Sequence, residues 1–445
     1  MTDIIFLTDN PWTPTFDRRV LDQALYLTKQ GSECLIITLG SEARVASFEG
    51  VQIIQLPLTR SRHSHDATAR VQDISQPSHS ARIRGLILRY LRSKNPRYLK
   101  LVISVVSIMR TFAENARNAR EDIFISAPNV SLELTHISET LQMALGGLQP
   151  KLWVGCDLPG ALAALQLRAI TPESRVWFDA HEFYSEQTWL KHRPGFGPEI
   201  QELELSCVRD ADIFTCVSTE LTSKMVDSSG RSEAGVTLTN AVRFNSSSEK
   251  LENRALLDFL DGPTHVLLFH GNLNRYRGIV ELVDSFRSLS EQNWRLLFVG
   301  RLDLDLPASC WRQQRNIYVC DEIPASQIGD LVSRVDAIVM PYPVLDLNTQ
   351  FGFPNKLGDC IQSQKPFIYN VSLESIGKIA TEFDLGIPMT FENPRERTSS
   401  LSKALMGLSN LSPRWLAAEE QIGWTSSERV LNDIQTSLNL KVRES

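Results

Sequence analysis

Short apolar runs of strand length alternate with amphipathic stretches of helix length along almost the whole chain, and this rhythm constrains the fold more than any other feature. A run that is apolar at every position has no polar face to turn toward water, so it belongs in a sheet covered on both sides. Helices between successive strands supply that cover. The opening unit predicts a strand at 4–7, then a helix over 17–30 with Val20, Leu21, Ala24, Leu25 and Leu27 on one stripe. Gly31 is its stop, and a second strand follows at 34–37. Further strands are predicted at 51–56, 152–156, 176–179 and 213–217. A second series follows the polar stretch 245–250, with strands at 266–270, 296–299, 317–320, 337–340 and 366–369. The segment 414–438 is helical in pattern. At 445 residues the chain is longer than one core usually supports. The expected fold class is therefore α/β, with two Rossmann-like doubly wound domains facing a central cleft, where ligands of such sheets bind.

Composition narrows the function classes. An apolar share of 42% and a charged share of 22% describe a globular chain with a sizeable core, and a net charge of -6 gives no reason to expect nucleic acid as a partner. The start carries Asp3 and Asp9 around its short apolar run, so it reads as a first strand rather than a signal peptide. The longest apolar stretch, 99–109, contains Lys100 and is too short to span a bilayer. The cysteines Cys34, Cys156, Cys207, Cys216, Cys310, Cys320 and Cys360 are widely spaced and set mostly in apolar runs, which predicts reduced, buried thiols in the cytoplasm. No pair has zinc-ligand spacing, and no metal site is expected.

One segment breaks the rhythm. Between Arg60 and Arg120 there are thirteen Lys or Arg residues against the acids Asp66, Asp73 and Glu114, in an otherwise acidic chain. Its second half mixes these charges with Ile83, Leu86, Ile87, Tyr90 and Leu91, as a basic amphipathic helix does. Such an insertion, about 60–121, suits an anionic membrane surface or an anionic acceptor; a solvated helical face is the plainer alternative.

The chemistry concentrates after the strand at 266–270. His270-Gly271-Asn272-Leu273-Asn274-Arg275-Tyr276-Arg277-Gly278 leads directly into a helix over 279–289. Glycines let a backbone approach a ligand closely, the helix start presents free N–H groups, and two arginines in one turn suit a diphosphate. Later, Phe351-Gly352-Phe353-Pro354-Asn355-Lys356-Leu357-Gly358-Asp359 opens another helix, with Pro354 expected at its first position and Asn355 and Asp359 on one face.

These segments, with Trp294 to Gly300 and Val335 to Tyr342 between them, resemble the donor-binding half of GT-B glycosyltransferases, and more narrowly the retaining family 4 group. That resemblance implies a nucleotide diphosphate-sugar donor, UDP- or GDP-linked. Arg277 would bind the diphosphate and Asp359 the ribose hydroxyls, with Gly271, Asn272, Arg275, Gly352, Phe353, Asn355 and Lys356 lining the donor site. Backbone N–H groups around Gly352 and Phe353 would face sugar or phosphate. In the first half, Asp179-Ala180-His181-Glu182 resembles the family's Asp-x-His-Glu segment, with His181 facing the donor sugar, and Asp17-Arg18-Arg19-Val20 resembles the first strand-to-helix junction. Arg18, Arg19, Asp179 and Glu182 are thereby the acceptor-side candidates, His181 and Arg277 the catalytic ones. The chain departs from the family at Asn272, where many relatives have Arg, and at Phe351, where many have Glu; the second change bears on the identity of the sugar.

The resemblance implies an acceptor-side domain over 1–245, a donor domain over 246–410, and a C-terminal segment over 411–445 that crosses back to the first domain. The implied reaction retains the anomeric configuration and uses no cofactor or metal, with a glycan or lipid-linked acceptor. The expected location is the cytoplasm, peripheral on the inner face of the membrane. Three other readings belong to different classes. A nucleotide-sugar epimerase of the same fold would act without an acceptor, and a non-catalytic relative would bind glycans or partners. A nicotinamide dehydrogenase requires a Gly-x-Gly-x-x-Gly turn that no strand here leads into.

Overall fold

The computed structural model describes residues 2–8, 18–40, 44–57, 149–188, 197–241, 243, 249–289, 293–302 and 316–440. The basic stretch from Arg60 to Arg120, Asp17, Cys310 and most of the polar stretch 245–250 lie outside them.

The first domain comprises β1 (Ile4–Leu7), α1 (Arg18–Lys29), β2 (Cys34–Gly40), β3 (Arg44–Phe48), β4 (Val51–Pro57), β5 (Leu152–Cys156), α2 (Asp157–Ile170), β6 (Arg175–Ala180), α3 (Gly197–Asp210), β7 (Ile213–Cys216), α4 (Thr219–Ser229) and β8 (Val236–Thr237). Its sheet runs β3-β4-β2-β1-β5-β6-β7-β8 and is parallel except for the β3–β4 hairpin. The second domain comprises α5 (Arg254–Leu260), β9 (His265–His270), α6 (Ile279–Arg287), β10 (Trp294–Val299), β11 (Ile317–Cys320), α7 (Ile328–Ser333), β12 (Ala337–Met340), α8 (Leu347–Phe351), α9 (Asn355–Ser363), β13 (Phe367–Asn370), α10 (Glu374–Phe383), β14 (Gly386–Met389) and α11 (Pro394–Gly407). Its sheet runs β11-β10-β9-β12-β13-β14, all parallel. Two last helices, α12 (Trp415–Ile422) and α13 (Trp424–Leu440), complete the chain.

The unbroken apolar strands follow from burial on both faces. In β1, Ile5 and Leu7 pack with Trp153, Leu158 and Phe178 on one side, while Ile4 and Phe6 pack with Val20, Ala24 and Trp177 on the other. The two buried tryptophans keep their indole N–H groups satisfied: Trp153 donates to Thr171 Oγ1 at 3.0 Å and Trp177 to Thr215 Oγ1 at 2.8 Å. An indole N–H left unpaired in such a core would cost about 1–3 kcal/mol. Helix α13 lays Trp424, Leu431, Ile434 and Leu438 onto the same cluster as α1, so the end of the chain packs on the first domain's sheet. The six described cysteines are free and buried.

The structure differs from the sequence reading at five places. Strand β14 contains Gly386 and Pro388, residues that argue against a strand; it is tolerated because it lies at the sheet edge. Strand β3 is an antiparallel hairpin partner of β4, and β8 has only two residues. Pro354 is the N-cap of α9, extended at φ -70° and ψ 149°, rather than its first helical residue. The C-terminal helical segment breaks at Gly423 into two helices.

Candidate functional site

The carboxyl end of β9 turns at Gly271, whose φ of +106° is left-handed and unfavourable for any residue with a Cβ. Leu273 then buries itself and bridges to Leu302, which holds the turn against the end of β10. Residues Arg275–Arg277 form a single 3-10 turn, with the Asn274 side chain accepting from Tyr276 N at 3.1 Å. Gly278 closes it at φ +70° and starts α6. A Cβ there would lie 2.2 Å from Pro341 O, so this glycine is what allows the turn to sit on the end of β12.

That packing sorts the two arginines. Arg277 Cζ stands 5.2 Å from the centre of the Tyr342 ring, and Lys356 Nζ stands 5.4 Å from the same ring and 4.5 Å from that of Phe269. Tyr342 is thus a nearly buried aromatic floor under two cations, an arrangement that favours a bound anion. Arg275 lies along Tyr276 instead and donates to its hydroxyl at 2.8 Å. Asn272 and Asn355 are exposed.

Asp359 occupies a different environment from the one a ribose-binding acid suggests. Its carboxylate is fully enclosed: Oδ1 accepts from Arg18 Nη1 of the first domain at 3.0 Å, and Oδ2 lies 3.2 Å from His270 Nε2. Burial alone would raise this carboxyl, yet Arg18 and then His270 outweigh it and hold it below the usual carboxylate range. Burial in turn lowers the His270 imidazole despite Asp359. Gly352 also departs from expectation. Its N–H is taken by Asn348 O at 2.9 Å, closing α8, and is not available to a ligand. Phe353 is buried, and its carbonyl accepts from Asn240 Nδ2 at 2.8 Å.

In the first domain Arg19 and Asp179 form the buried centre. Arg19 Nε donates to Asp179 Oδ2 at 2.9 Å and Nη2 contacts Oδ1; Gln23 and Thr215 donate to the same carboxylate at 2.9 and 2.6 Å. Burial opposes the charge on Asp179, but Arg19 and His181 hold its carboxyl far below the ordinary range. The two groups are spent largely on each other. Arg19 Nη1 bonds Asn240 Oδ1 at 3.1 Å, and Asn240 in turn holds Phe353, a polar chain from the first domain's centre to the segment that opens α9.

His181 sits just beyond β6, mostly covered, with Nε2 3.3 Å from Asp179 Oδ2 and Nδ1 3.5 Å from Asp157 Oδ2. Asp157, which the sequence reading passed over, also accepts from His181 N at 2.9 Å. It stands at φ +55°, a conformation costing a non-glycine residue about 1–3 kcal/mol, and such strain clusters at functional sites. Its signal in the sequence was position alone: an acid at the carboxyl end of a strand, opening a helix. Glu182 pairs with Gln187, and burial, then Asp157, pushes its carboxyl up to about 8. Glu204, also unforeseen, is fully enclosed on α3 and accepts from Tyr184 N and Ser185 N at 2.7 and 2.8 Å; burial raises it to about 7.

The two domains also meet along α8. Phe183 N donates to Asn348 Oδ1 at 2.7 Å and Asn348 Nδ2 donates to Phe183 O at 2.9 Å. Lys378 pairs with Glu220 at 2.6 Å, and Lys224 Nζ lies 4.8 Å from the Phe351 ring, so Phe351 faces a first-domain cation at the domain junction.

No family model and no curated protein sequence matches the chain. Solved structures do. Sucrose-phosphate synthase from Thermosynechococcus elongatus superposes with a TM-score of 0.64 over 99% of this chain and 100% of its own, at 11% identity. A UDP-forming α,α-trehalose-phosphate synthase from Burkholderia vietnamiensis gives 0.63 over 99% and 100%, at 13% identity. Anabaena HepE in complex with UDP and glucose gives 0.59 over 98% and 99%, at 10% identity. The chain therefore has the GT-B fold, with two parallel-sheet domains of eight and six strands. Among the described residues no helix is long and apolar enough to cross a membrane.

Proposed function

We propose that the chain is a retaining glycosyltransferase that moves a sugar from a nucleotide diphosphate-sugar to a glycan or lipid-linked acceptor. The observation that carries this reading is the pair of cations, Arg277 and Lys356, held over Tyr342 at the carboxyl edge of the second sheet, beside the glycine turn that opens α6. Fixed positive charge there stabilises a departing diphosphate without rearrangement during the reaction. The full-length likeness to a UDP-forming synthase and to a structure solved with UDP and glucose supports the same class.

In this reading the donor site lies in 246–410 and the acceptor side in 1–245. As the bond between the anomeric carbon and the phosphate oxygen breaks, the acceptor oxygen bonds to the same face of that carbon. Its proton passes to the leaving phosphate. His181 hydrogen-bonds the transferred sugar, and Asp359 takes the ribose once Arg18 has moved aside. Arg277 and Lys356 serve where other transferases use a divalent cation, so no cofactor is required. The basic stretch from Arg60 to Arg120 belongs to this proposal as a contact with an anionic membrane surface, which places the protein at the inner face of the membrane in the cytoplasm.

The enclosure of Asp359 by Arg18 favours a second reading, a non-catalytic glycan-binding relative. Calorimetry with UDP, GDP and a panel of their sugars separates the two. Binding of at least one nucleotide, followed by acceptor-dependent release of it from the matching sugar, is expected; no binding to any of them overturns the transferase reading.

A further inference from the structure

His181 stands on the loop that follows β6, and side chains hold the main chain of that loop at five residues between 181 and 188. Asp157 accepts from His181 N, Glu204 accepts from Tyr184 N and Ser185 N, and Asp346 Oδ2 accepts from Thr188 N at 3.1 Å. Asp157 and Glu204 belong to the first domain, as the loop does. Asp346 and Asn348 belong to the second. Of these, Asn348 grips the residue nearest His181, and it grips both polar groups of that residue, the Phe183 N–H at 2.7 Å and the Phe183 C=O at 2.9 Å.

An amide that accepts from and donates to one residue's main chain does what a neighbouring β-strand would do. It fixes position whatever side chain that residue carries. Asn348 itself is held on α8: Asp346 Oδ1 caps the helix by accepting from Thr349 N at 2.7 Å, and Asn348 O closes it by accepting from Gly352 N. Three residues after Gly352 begins α9, which carries Lys356 and Asp359. The short helix therefore ties the segment with His181 to the one with the donor-side cation.

We propose that Asn348 is a positioning residue: through the Phe183 main chain it sets His181 at its distance from Lys356 and the turn of Arg277. The inference rests on the transferase reading for what His181 acts upon, but its structural content does not. Hydrogen exchange across 181–188 is to be compared in the ligand-free wild type and the Asn348→Leu variant, which keeps the branching and heavy-atom count and removes both hydrogen bonds. Exchange about tenfold faster in that segment is expected, with β1, β5 and β6 unchanged. Unchanged exchange at 181–188, or an equal acceleration throughout the first domain, overturns the proposal. If the leucine variant does not fold, Asn348→Ser replaces it. With a donor identified from the nucleotide-sugar panel, kcat is expected to fall about tenfold or more while UDP affinity and donor KM stay within about twofold. A parallel loss of UDP affinity would make Asn348 a binding or purely structural residue instead. A wild type that binds neither UDP nor GDP sinks the functional reading alone, and the exchange arm still decides whether Asn348 sets the 181–188 segment.

Discussion

Arg277 is exposed and lies with a second cation, Lys356, over the Tyr342 ring, two like charges that a bound anion would stabilise. Replacing Arg277 with Ala removes one charge-assisted contact, about 1.5–3 kcal/mol, and UDP affinity by calorimetry is expected to fall about ten- to hundredfold. The melting temperature should stay unchanged, because nothing in the core depends on that side chain. Glu182 makes a second residue-level prediction through pH. Its carboxyl rises from 4.5 to about 8 on folding, so the folded state holds its proton more tightly. The stability this contributes is complete below about pH 4.5 and is lost as pH rises through about 8. Glu182→Gln should leave the melting temperature alone at pH 4.5 and raise it at pH 8.5; equal shifts at both would contradict the assignment. Arg277 was legible in the sequence because turn, glycine and arginine are contiguous. The partner of Asp359 was not, since Arg18 lies 341 residues away and only the docking of two domains brings it near.

Elements end where a guanidinium or a glycine lets them. Arg295, in β10, donates to the carbonyls of Gly262 and Thr264 at 3.0 and 2.7 Å and contacts that of Phe259, which satisfies the C-terminal end of α5. Arg295→Ala takes the donor away from those half-buried carbonyls and should cost about 1–3 kcal/mol of stability in chemical denaturation. Gly278→Ala would place a methyl carbon 2.2 Å from Pro341 O in a left-handed backbone. A loss of about 2 kcal/mol or more is expected, together with weaker UDP binding, because the 3-10 turn of Arg277 must lift off β12. Most strands and helices could be read from periodicity, because a strand buried on both faces leaves an unbroken apolar signature. Strand β14 could not: its Gly and Pro are tolerated at an edge, and edge status belongs to the sheet rather than to the segment.

At the scale of the whole molecule, helix α13 closes the outer face of the first sheet. Its Trp424 ring meets Tyr26 edge-on with centroids 6.2 Å apart, and Gln435 Nε2 donates to Gln30 O at 3.0 Å. Truncation after Gly423 uncovers the faces of Val20, Leu27 and Ile36 and should leave the first domain aggregating or binding a hydrophobic dye, while the second sheet keeps its strands. The chain thus passes between the domains twice, outward beyond Asn240 and back before α13. The two passages touch where Thr239 Oγ1 donates to Ile422 O at 2.8 Å. Two adjacent strands of covalent chain behave like the pins of a door. Pinned side by side they favour a swing of one domain over sliding past the other, a motion whose range the cross-domain contacts Arg18–Asp359 and Phe183–Asn348 both limit.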